Sequence, residues 1–166
     1  MWELASLTFR VGIGFDSHKL DNGESLVIGG VNIPHTKGLI GHSDGDVLVH
    51  AIMDCLLGAS GLGDKGSHFP SSDPELRDIS SLVLLSKVVD LLDVNRWRIT
   101  NVDATIIAQK PQLSHFLKDM IELTSKTLLI TPEQLSIKVT TTDYMGFIGR
   151  EEGIAACAVA AIEKNS

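Results

Sequence analysis

The sequence lacks the features typical of secreted, membrane or disulfide-stabilised proteins. It has two cysteines, Cys55 and Cys157, which are far apart and form no CxxC pair, so they indicate buried reduced thiols. No apolar run approaches ~20 residues, the length of a membrane-spanning helix. The start of the chain has no basic segment followed by an apolar one, so no signal peptide is expected. These absences predict a bacterial cytoplasm, or an organelle stroma if a transit peptide has been removed.

The sequence also has fewer basic residues than acidic ones. Lys and Arg number 14 against 21 Asp and Glu, which gives a formal net charge of −7. A protein binds duplex nucleic acid through a basic face, so no nucleic-acid partner is expected. An anionic ligand such as a phosphate would need local N–H donors or metal cations. The 166 residues contain no repeat or linker, and we expect a single domain over 1–166.

Hydrophobic spacing predicts the first half of the secondary structure. Alternation predicts a strand over 7–14, and "SLVIGGVNIP" (25–34) predicts a hairpin that turns at Gly29-Gly30. Apolar residues at helical spacing predict a helix from Val47 to Ala59. Ser43 or Asp44 is expected to cap its start, and the glycines of "GASGLGDKG" to end it.

The second half continues the alternation of helices and strands. We expect a helix over 75–93, a strand over 97–109, a helix over 112–128 opened by Pro111, and a strand over 135–142. The tail "GIAACAVAAI" (153–162) fits a helix, because alanine favours helices, and equally a buried central strand. The interleaved pattern indicates an α/β or α+β fold.

The stretch "GIGFDSHKL" (12–20) places an acid and an imidazole two residues apart. Residues i and i+2 of a strand point to the same face, so Asp16 and His18 can reach one ion. With His50 from the following helix they form a set of one Asp and two His. Such a set is typical of a tetrahedral zinc site that keeps one position open for substrate.

A second combination of the same residue types is the helical set His42, Asp46 and His50. Gly45 argues against it, because the helix would have to begin before residue 43. For the first set, Asp46 or Asp54, one turn away from His50, is expected to accept the second ring N–H of His50 and so fix its tautomer.

Two further segments carry groups suited to phosphates. In "KVTTTDYMGFIGREEG" (138–153), threonine hydroxyls and loop N–H groups can donate to phosphate oxygens, Arg150 can bind a diphosphate, and Asp143 can hold Mg²⁺. A run of β-branched threonines also simply continues a strand. "GLGDKGSHFPSSD" (61–73) is not a P-loop, and its Asp64 suits either ribose hydroxyls or a turn.

Four motifs in one order, "GIGFDSHKL", "GHSDGDVLVHA", "GLGDKGSHFP" and "TTTDYMGFIGREEGIA", resemble the 2-C-methyl-D-erythritol 2,4-cyclodiphosphate synthase family over about residues 9–163. The resemblance implies a ferredoxin-like mixed sheet with helices on one face, assembled as a homotrimer with active sites between subunits. It also implies a phosphorus–oxygen lyase of non-mevalonate isoprenoid biosynthesis. The implied reaction cyclises 4-diphosphocytidyl-2-C-methyl-D-erythritol 2-phosphate and releases CMP.

The resemblance also implies residue roles. Zinc would bind Asp16, His18 and His50, with Mg²⁺ or Mn²⁺ on the diphosphate near Asp143, while His42 and Thr141 would stabilise the transition state. The implied substrate-binding residues are Asp16, Ser17, His18, His42, Ser43, Asp64, Lys65, Gly66, Phe69, Asp73, Ala108, Pro111, Leu113, Thr140, Thr141, Thr142, Asp143, Phe147 and Arg150. Residues 108–114 match a loop that reads cytosine through backbone groups.

Phe147 and Arg150 also match residues that face the trimer axis, where family members can hold an isoprenoid diphosphate. Three positions depart from the family pattern: Ser71 and Asp143 stand where Asp and Glu are usual, and Gln112 stands where Lys is usual. The shorter carboxylate of Asp143 affects the distance to the second metal. The loss of the lysine weakens phosphate binding unless Lys110 replaces it.

Two other functions use the same residues. A zinc phosphoesterase would attack with zinc-bound water and use an acid such as Asp46 as its base. A non-enzymatic module would bind isoprenoid diphosphates through Phe147 and Arg150. An open-site zinc set favours an enzyme over a binding module.

Overall fold

The computed structural model describes residues 8–164, which form seven strands, five α-helices and short 3₁₀ turns. The strands are β1 (Phe9–Asn22), β2 (Leu26–Ile28), β3 (Val31–Ile33), β4 (Lys37–Leu39), β5 (Trp97–Ile107), β6 (Leu135–Thr140) and β7 (Gly153–Lys164). The helices are α1 (Val47–Ser60), α2 (Lys65–His68), α3 (Ser81–Val94), α4 (Leu117–Leu128) and α5 (Gly146–Gly149). Within residues 8–164, every helix is too short or too polar to cross a membrane.

The main sheet has five strands in the order β4-β1-β7-β5-β6, and β2 pairs with β3 in a separate hairpin. β5 and β6 are parallel, while β1 and β5 run antiparallel to β7. The mixed α/β class expected from the sequence is confirmed. The alanine-rich tail is β7, the central strand, and its small side chains let helix α1 approach it closely.

Helix α1 lies directly on β1 because two glycines remove the side chains between them. A Cβ on Gly12 would lie 2.0 Å from the Cys55 carbonyl oxygen, and one on Gly14 would lie 2.0 Å from the Ala51 carbonyl oxygen. Such distances are far below van der Waals contact. This close approach brings His50 of α1 next to the polar end of β1.

The start of α1 differs from the expected cap. Asp46, not Ser43 or Asp44, is the N-cap, and its carboxylate accepts the N–H of Val49 at 3.1 Å. The same carboxylate accepts N–H groups of the β2–β3 turn, from Gly29 at 3.0 Å and Gly30 at 2.7 Å. Asp46 therefore ties the hairpin to the helix. This contact is long-range, so local sequence did not reveal it.

Three other element boundaries differ from the predictions by more than two residues. β1 extends to Asn22, because residues 16–19 keep their pairing with β7 and the next three pair with β4. The helix expected over 75–93 begins at Ser81, after a 3₁₀ turn over Pro74–Leu76. Pro111 does not open α4, which begins at Leu117; the side chain of Leu113 is buried in the core instead. The hairpin at Gly29-Gly30 is confirmed.

Helix α3 contacts both α1 and α4, and all three helices contact strands of the main sheet. The opposite face of β1 presents large apolar side chains to solvent. Phe9, Val11, Ile13 and Phe15 are between 55% and 71% exposed, and Val159 of β7 is 40% exposed. An apolar patch of this kind usually marks a contact surface.

Candidate active site

Asp16, His18 and His50 bring three ligand atoms together. The carboxylate Oδ2 of Asp16 lies 3.0 Å from His18 Nε2 and 2.9 Å from His50 Nδ1, and these nitrogens are 3.1 Å apart. Four ligands at zinc-like bond lengths of about 2.0–2.1 Å would be separated by roughly 3.3 Å. The donor set and its spacing fit a divalent transition-metal ion, and the expected convergence of Asp16, His18 and His50 is confirmed.

The secondary structure explains the geometry. Asp16 and His18 share one face of β1, and His50 lies on the helix that packs against that face. The rival set is not formed: Asp46 is fully buried at the helix cap, and the ring Nε2 of His42 donates to the Asp73 carbonyl at 2.9 Å.

Fixed acceptors set the tautomers of both histidines. His18 Nδ1 donates to the carbonyl of Ile40 at 2.6 Å, which leaves Nε2 free to face Asp16. His50 Nε2 lies 2.9 Å from the hydroxyl of Ser81 and 3.1 Å from that of Ser43. Because Ser81 Oγ donates its proton to Asp44, it accepts the N–H of His50. Each imidazole thus presents a lone pair to the triad.

The prediction that Asp46 or Asp54 accepts the second ring N–H of His50 is wrong. Asp46 accepts only backbone N–H groups, and Asp54 accepts the backbone N–H of Lys65 at 2.8 Å. Ser81 was missed, because the predicted helix placed it inside the first turns rather than at the start. A serine pair, Ser80-Ser81, at a helix start was the available signal.

Neighbouring groups adjust the charges of the triad. Burial opposes ionisation of Asp16, but its close polar contacts with His18, His50 and Lys65 hold the pKa of its carboxyl well below its usual range. Burial also opposes charging of His18, yet its contacts with Asp16 and the Ile40 carbonyl raise the pKa of His18. Burial dominates at His50 and lowers its pKa. The site therefore keeps a carboxylate charged, as cation binding requires.

Lys65 adds a cation to the triad. Its Nζ lies 2.6 Å from Asp16 Oδ2 and 4.0 Å from Asp54 Oδ2. Lys65 is the first residue of α2. The N-cap of this helix is Asp64, whose carboxylate accepts the N–H of Ser67 at 2.8 Å. The segment 61–73, for which a turn or a ribose site at Asp64 was predicted, thus contains a short capped helix that places an ammonium group beside the triad.

A cavity of about 320 Å³ opens beside the triad. It is lined by Asp16, His18, His42, Ser43, His50, Met53, Lys65, Gly66, Phe69, Ser71, Leu76 and Leu84. The cavity thus includes the implied substrate residues from the first three motifs, except Ser17 and Asp64, and it does not include Asp73. The Asp73 carboxylate caps the following 3₁₀ turn, so Ser71 faces the cavity in its place.

The remaining implied residues lie elsewhere on the subunit. Thr140 ends β6, and its carbonyl accepts the N–H of Ala108 at 3.0 Å, so 108–113 and 140–143 are adjacent. Strand pairing puts both segments at the same end of the sheet as His18. Residues 108–113 follow β5, two strands away, and 140–143 follow β6, three strands away, which is roughly 14 Å at about 4.8 Å per strand. The Leu113 side chain is buried, and Asp143 has a left-handed φ of 49°.

Phe147 and Arg150 line a second cavity of about 520 Å³. Ser17, His18 and the cationic residues Lys19 and Lys37 also line it, so it meets the first cavity at His18. The guanidinium of Arg150 is paired with Glu152 at 2.9 Å. One subunit thus carries three groups of implied ligand residues, two of which meet at His18.

The YgbB family model matches residues 9–163 of this chain. A protein named 2-C-methyl-D-erythritol 2,4-cyclodiphosphate synthase from Syntrophomonas wolfei is 53% identical over 155 residues, which are 93% of this chain and 99% of that protein. A protein of the same name from Agathobacter rectalis is 54% identical over 153 residues, which are 92% of this chain and 86% of that protein.

Solved structures agree with this relationship. The bifunctional IspDF of Campylobacter jejuni superposes with a TM-score of 0.93 and 36% identity, covering 97% of this chain and 44% of that one. IspF of Plasmodium falciparum, in a complex with CDP, superposes with a TM-score of 0.83 and 34% identity, covering 95% and 97%. The chain therefore belongs to the YgbB family, and the prediction of an enzyme of the 2-C-methyl-D-erythritol 2,4-cyclodiphosphate synthase type, a lyase, is confirmed.

Proposed function

We propose that this chain converts 4-diphosphocytidyl-2-C-methyl-D-erythritol 2-phosphate to 2-C-methyl-D-erythritol 2,4-cyclodiphosphate and CMP. The observation that carries the proposal is the triad of Asp16, His18 and His50, whose ligand atoms lie within 3.1 Å of one another beside a cavity. Membership of the YgbB family and the CDP bound to a related structure support the substrate class.

The reaction joins two anionic groups. An oxygen of the substrate's 2-phosphate bonds to the β-phosphorus, the bond from that phosphorus to the CMP oxygen breaks, and CMP leaves with the electron pair. The chain needs no nucleophile of its own, because the substrate supplies one. Its task is to align the two phosphates and to neutralise their charge.

The resident metal in this proposal is zinc. Held by Asp16, His18 and His50, it would supply Lewis-acid polarisation of a phosphate oxygen. Ile40 and Ser81 orient the two imidazoles toward that position, and Lys65 and Gly66 stand at the cavity wall.

The other implied roles stay proposals. His42, fixed by the Asp73 carbonyl, and Thr141 would stabilise the transition state. Mg²⁺ or Mn²⁺ would accompany the diphosphate near Asp143, since a carboxylate is a hard oxygen ligand. The backbone at 108–114 would read cytosine, because the side chain of Leu113 is buried.

We further propose a homotrimer whose active sites lie between subunits. Two observations support it: the apolar outer face of β1 needs a partner, and the triad lies roughly 14 Å along the sheet from Thr141 and Asp143. A neighbouring copy would bring its own Thr141 to this triad. Sedimentation analysis that finds only monomers at micromolar concentration would contradict the assembly.

An isoprenoid diphosphate is a second proposed ligand. Phe147 offers an aromatic ring beside the cations of Arg150 and Lys37 in the second cavity. We also propose the cytoplasm, or an organelle stroma, as the compartment, since Cys55 and Cys157 are free thiols.

The experiment that tests the metal site compares His50→Ala with the control His35→Ala. His50→Ala should lose zinc, measured by elemental analysis, together with CMP release, while His35→Ala keeps both. Full activity in a zinc-free His50→Ala protein would refute the assignment. CMP released with only linear phosphates would indicate a phosphoesterase, although Asp46, the base proposed for that activity, is fully buried.

A further inference from the structure

One oxygen atom of the metal triad, Asp16 Oδ2, is both a ligand in the proposed metal site and the ion-pair partner of Lys65. Asp16 Oδ2 faces both histidine nitrogens at 2.9 and 3.0 Å, and the Lys65 ammonium at 2.6 Å. A divalent ion bound to this oxygen would stand a few ångströms from the ammonium. Two positive charges at such a separation repel strongly in a partly buried site. Metal binding therefore has to displace the Lys65 ammonium from this oxygen.

The surroundings of Lys65 allow that displacement without moving the backbone. Its backbone N–H is held by Asp54 Oδ1 at 2.8 Å, and the Asp64 cap fixes the turn that follows. The side chain ends in a compact charge on four flexible bonds. A second acceptor, Asp54 Oδ2, already lies 4.0 Å from Nζ. One carboxylate thus anchors the main chain of Lys65 and can also receive its ammonium.

We propose that Lys65 is a displaceable counter-ion that weakens metal binding by competing for Asp16, and that its ammonium turns to Asp54 and to a phosphate in the cavity when the ion is bound. This proposal rests on the metal site of the proposed function. It makes Lys65 a positioning residue with two opposite effects. The lysine lowers affinity for the metal alone and raises affinity for the phosphate-bearing ligand.

The test measures zinc affinity by competition with a chromophoric chelator, using protein stripped of metal. Lys65→Met removes the charge and keeps most of the length, and it should bind zinc about 10- to 100-fold more tightly, as expected for loss of a charge-assisted contact. Lys65→Arg should stay close to the unmodified protein. The control is Lys138→Met, which removes a lysine paired with Asp103 at the far edge of the sheet and should change nothing.

A second variant tests the partner exchange. Asp54→Asn keeps an oxygen for the Lys65 backbone N–H but removes the negative charge that receives the ammonium, so zinc should bind several-fold more weakly. In the presence of zinc, Lys65→Met should bind CDP more weakly than the unmodified protein. These opposite signs separate counter-ion competition from a structural role, which would weaken both ligands together.

The outcomes distinguish the two proposals. If the unmodified protein binds zinc and His50→Ala does not, but Lys65→Met binds zinc no more tightly than Lys138→Met, the counter-ion proposal is overturned and the metal site stands. If neither the unmodified protein nor Lys65→Met binds zinc, both proposals fail together. Tighter zinc binding with weaker CDP binding in Lys65→Met supports the counter-ion proposal.

Discussion

Gly14→Ala should separate the metal ligands by pushing helix α1 away from strand β1. The new Cβ would lie 2.0 Å from the Ala51 carbonyl oxygen and 2.7 Å from the Cys55 nitrogen. Real Cβ atoms essentially never come closer than 3.0 Å to such atoms, so the helix backbone must retreat by at least 1.0 Å, the difference between 3.0 and 2.0. Both contacts are backbone atoms, which cannot rotate away as a side chain does.

The displacement has two measurable consequences. Overpacking of this kind costs about 3 kcal/mol of folding free energy, the upper part of its usual range, because a whole helix moves. Metal sites tolerate ligand shifts of only about 0.2 Å. His50 lies on α1, whereas Asp16 and His18 lie on β1. Moving the helix therefore separates the ligands, and zinc affinity should fall at least about tenfold.

Urea unfolding at fixed protein concentration measures the first consequence, and chelator competition measures the second. Gly58→Ala is the matched control, because Gly58 lies on the same helix with no atom within 4 Å of its added Cβ. That variant should gain about 1 kcal/mol from the better helix propensity of alanine and keep its zinc affinity. If Gly14→Ala unfolds at the same urea concentration as the unmodified protein, the close packing of α1 on β1 is refuted.

Three further predictions concern the metal site and the cap of the helix that carries His50. Zinc binds neutral imidazole, and contacts hold the pKa of His18 above its ordinary value. Zinc affinity should therefore already fall as the pH drops from above 6.5, by up to about tenfold per pH unit. A zinc affinity that stays constant from pH 8 to 6 would contradict this prediction. Asp46→Asn turns an amide donor toward backbone N–H groups of the hairpin and should cost about 2 kcal/mol in urea unfolding. Ser81→Ala removes the acceptor of the His50 ring N–H and should weaken zinc binding about tenfold. Ser80→Ala, whose side chain makes no capping bond, should not.

Much of the metal site could be predicted from local spacing. Asp16 and His18 share a face whether β1 ends at residue 14 or, as observed, at Asn22, because the period of two holds in any extended segment. His50 reaches the end of β1 because the glycines of this strand let helix α1 pack closely on it. That role of the glycines cannot be recognised from the sequence without knowing which helix packs there. The four family motifs supplied that missing juxtaposition.

Two errors and one open alternative depend on contacts between distant parts of the chain. Asp46 caps α1 because the β2–β3 turn offers it two more N–H donors, and sequence order cannot show that turn to be near. Ser81 reaches His50 because α3 packs on α1. The strand identity of 153–162 depends on its position between β1 and β5, which overrides the helix propensity of its alanines.

The departures from the family pattern have different structural settings. Ser71 lines the cavity beside the triad, so the loss of a carboxylate there removes negative charge close to the proposed phosphate position. Gln112 is exposed on the turn before Leu113, and Lys110 is engaged with Glu151 at 3.0 Å. Lys110 would therefore have to leave that carboxylate before it could replace the missing lysine.

Phosphorus NMR on the protein with the cytidyl substrate and Mg²⁺, before and after zinc is stripped, tests the central claim most directly. The account predicts two coupled cyclic-diphosphate signals that grow together with CMP, stop growing when zinc is removed, and return when zinc is restored. Release of CMP with only linear phosphates, or cyclisation that continues unchanged in protein stripped of zinc, would contradict it.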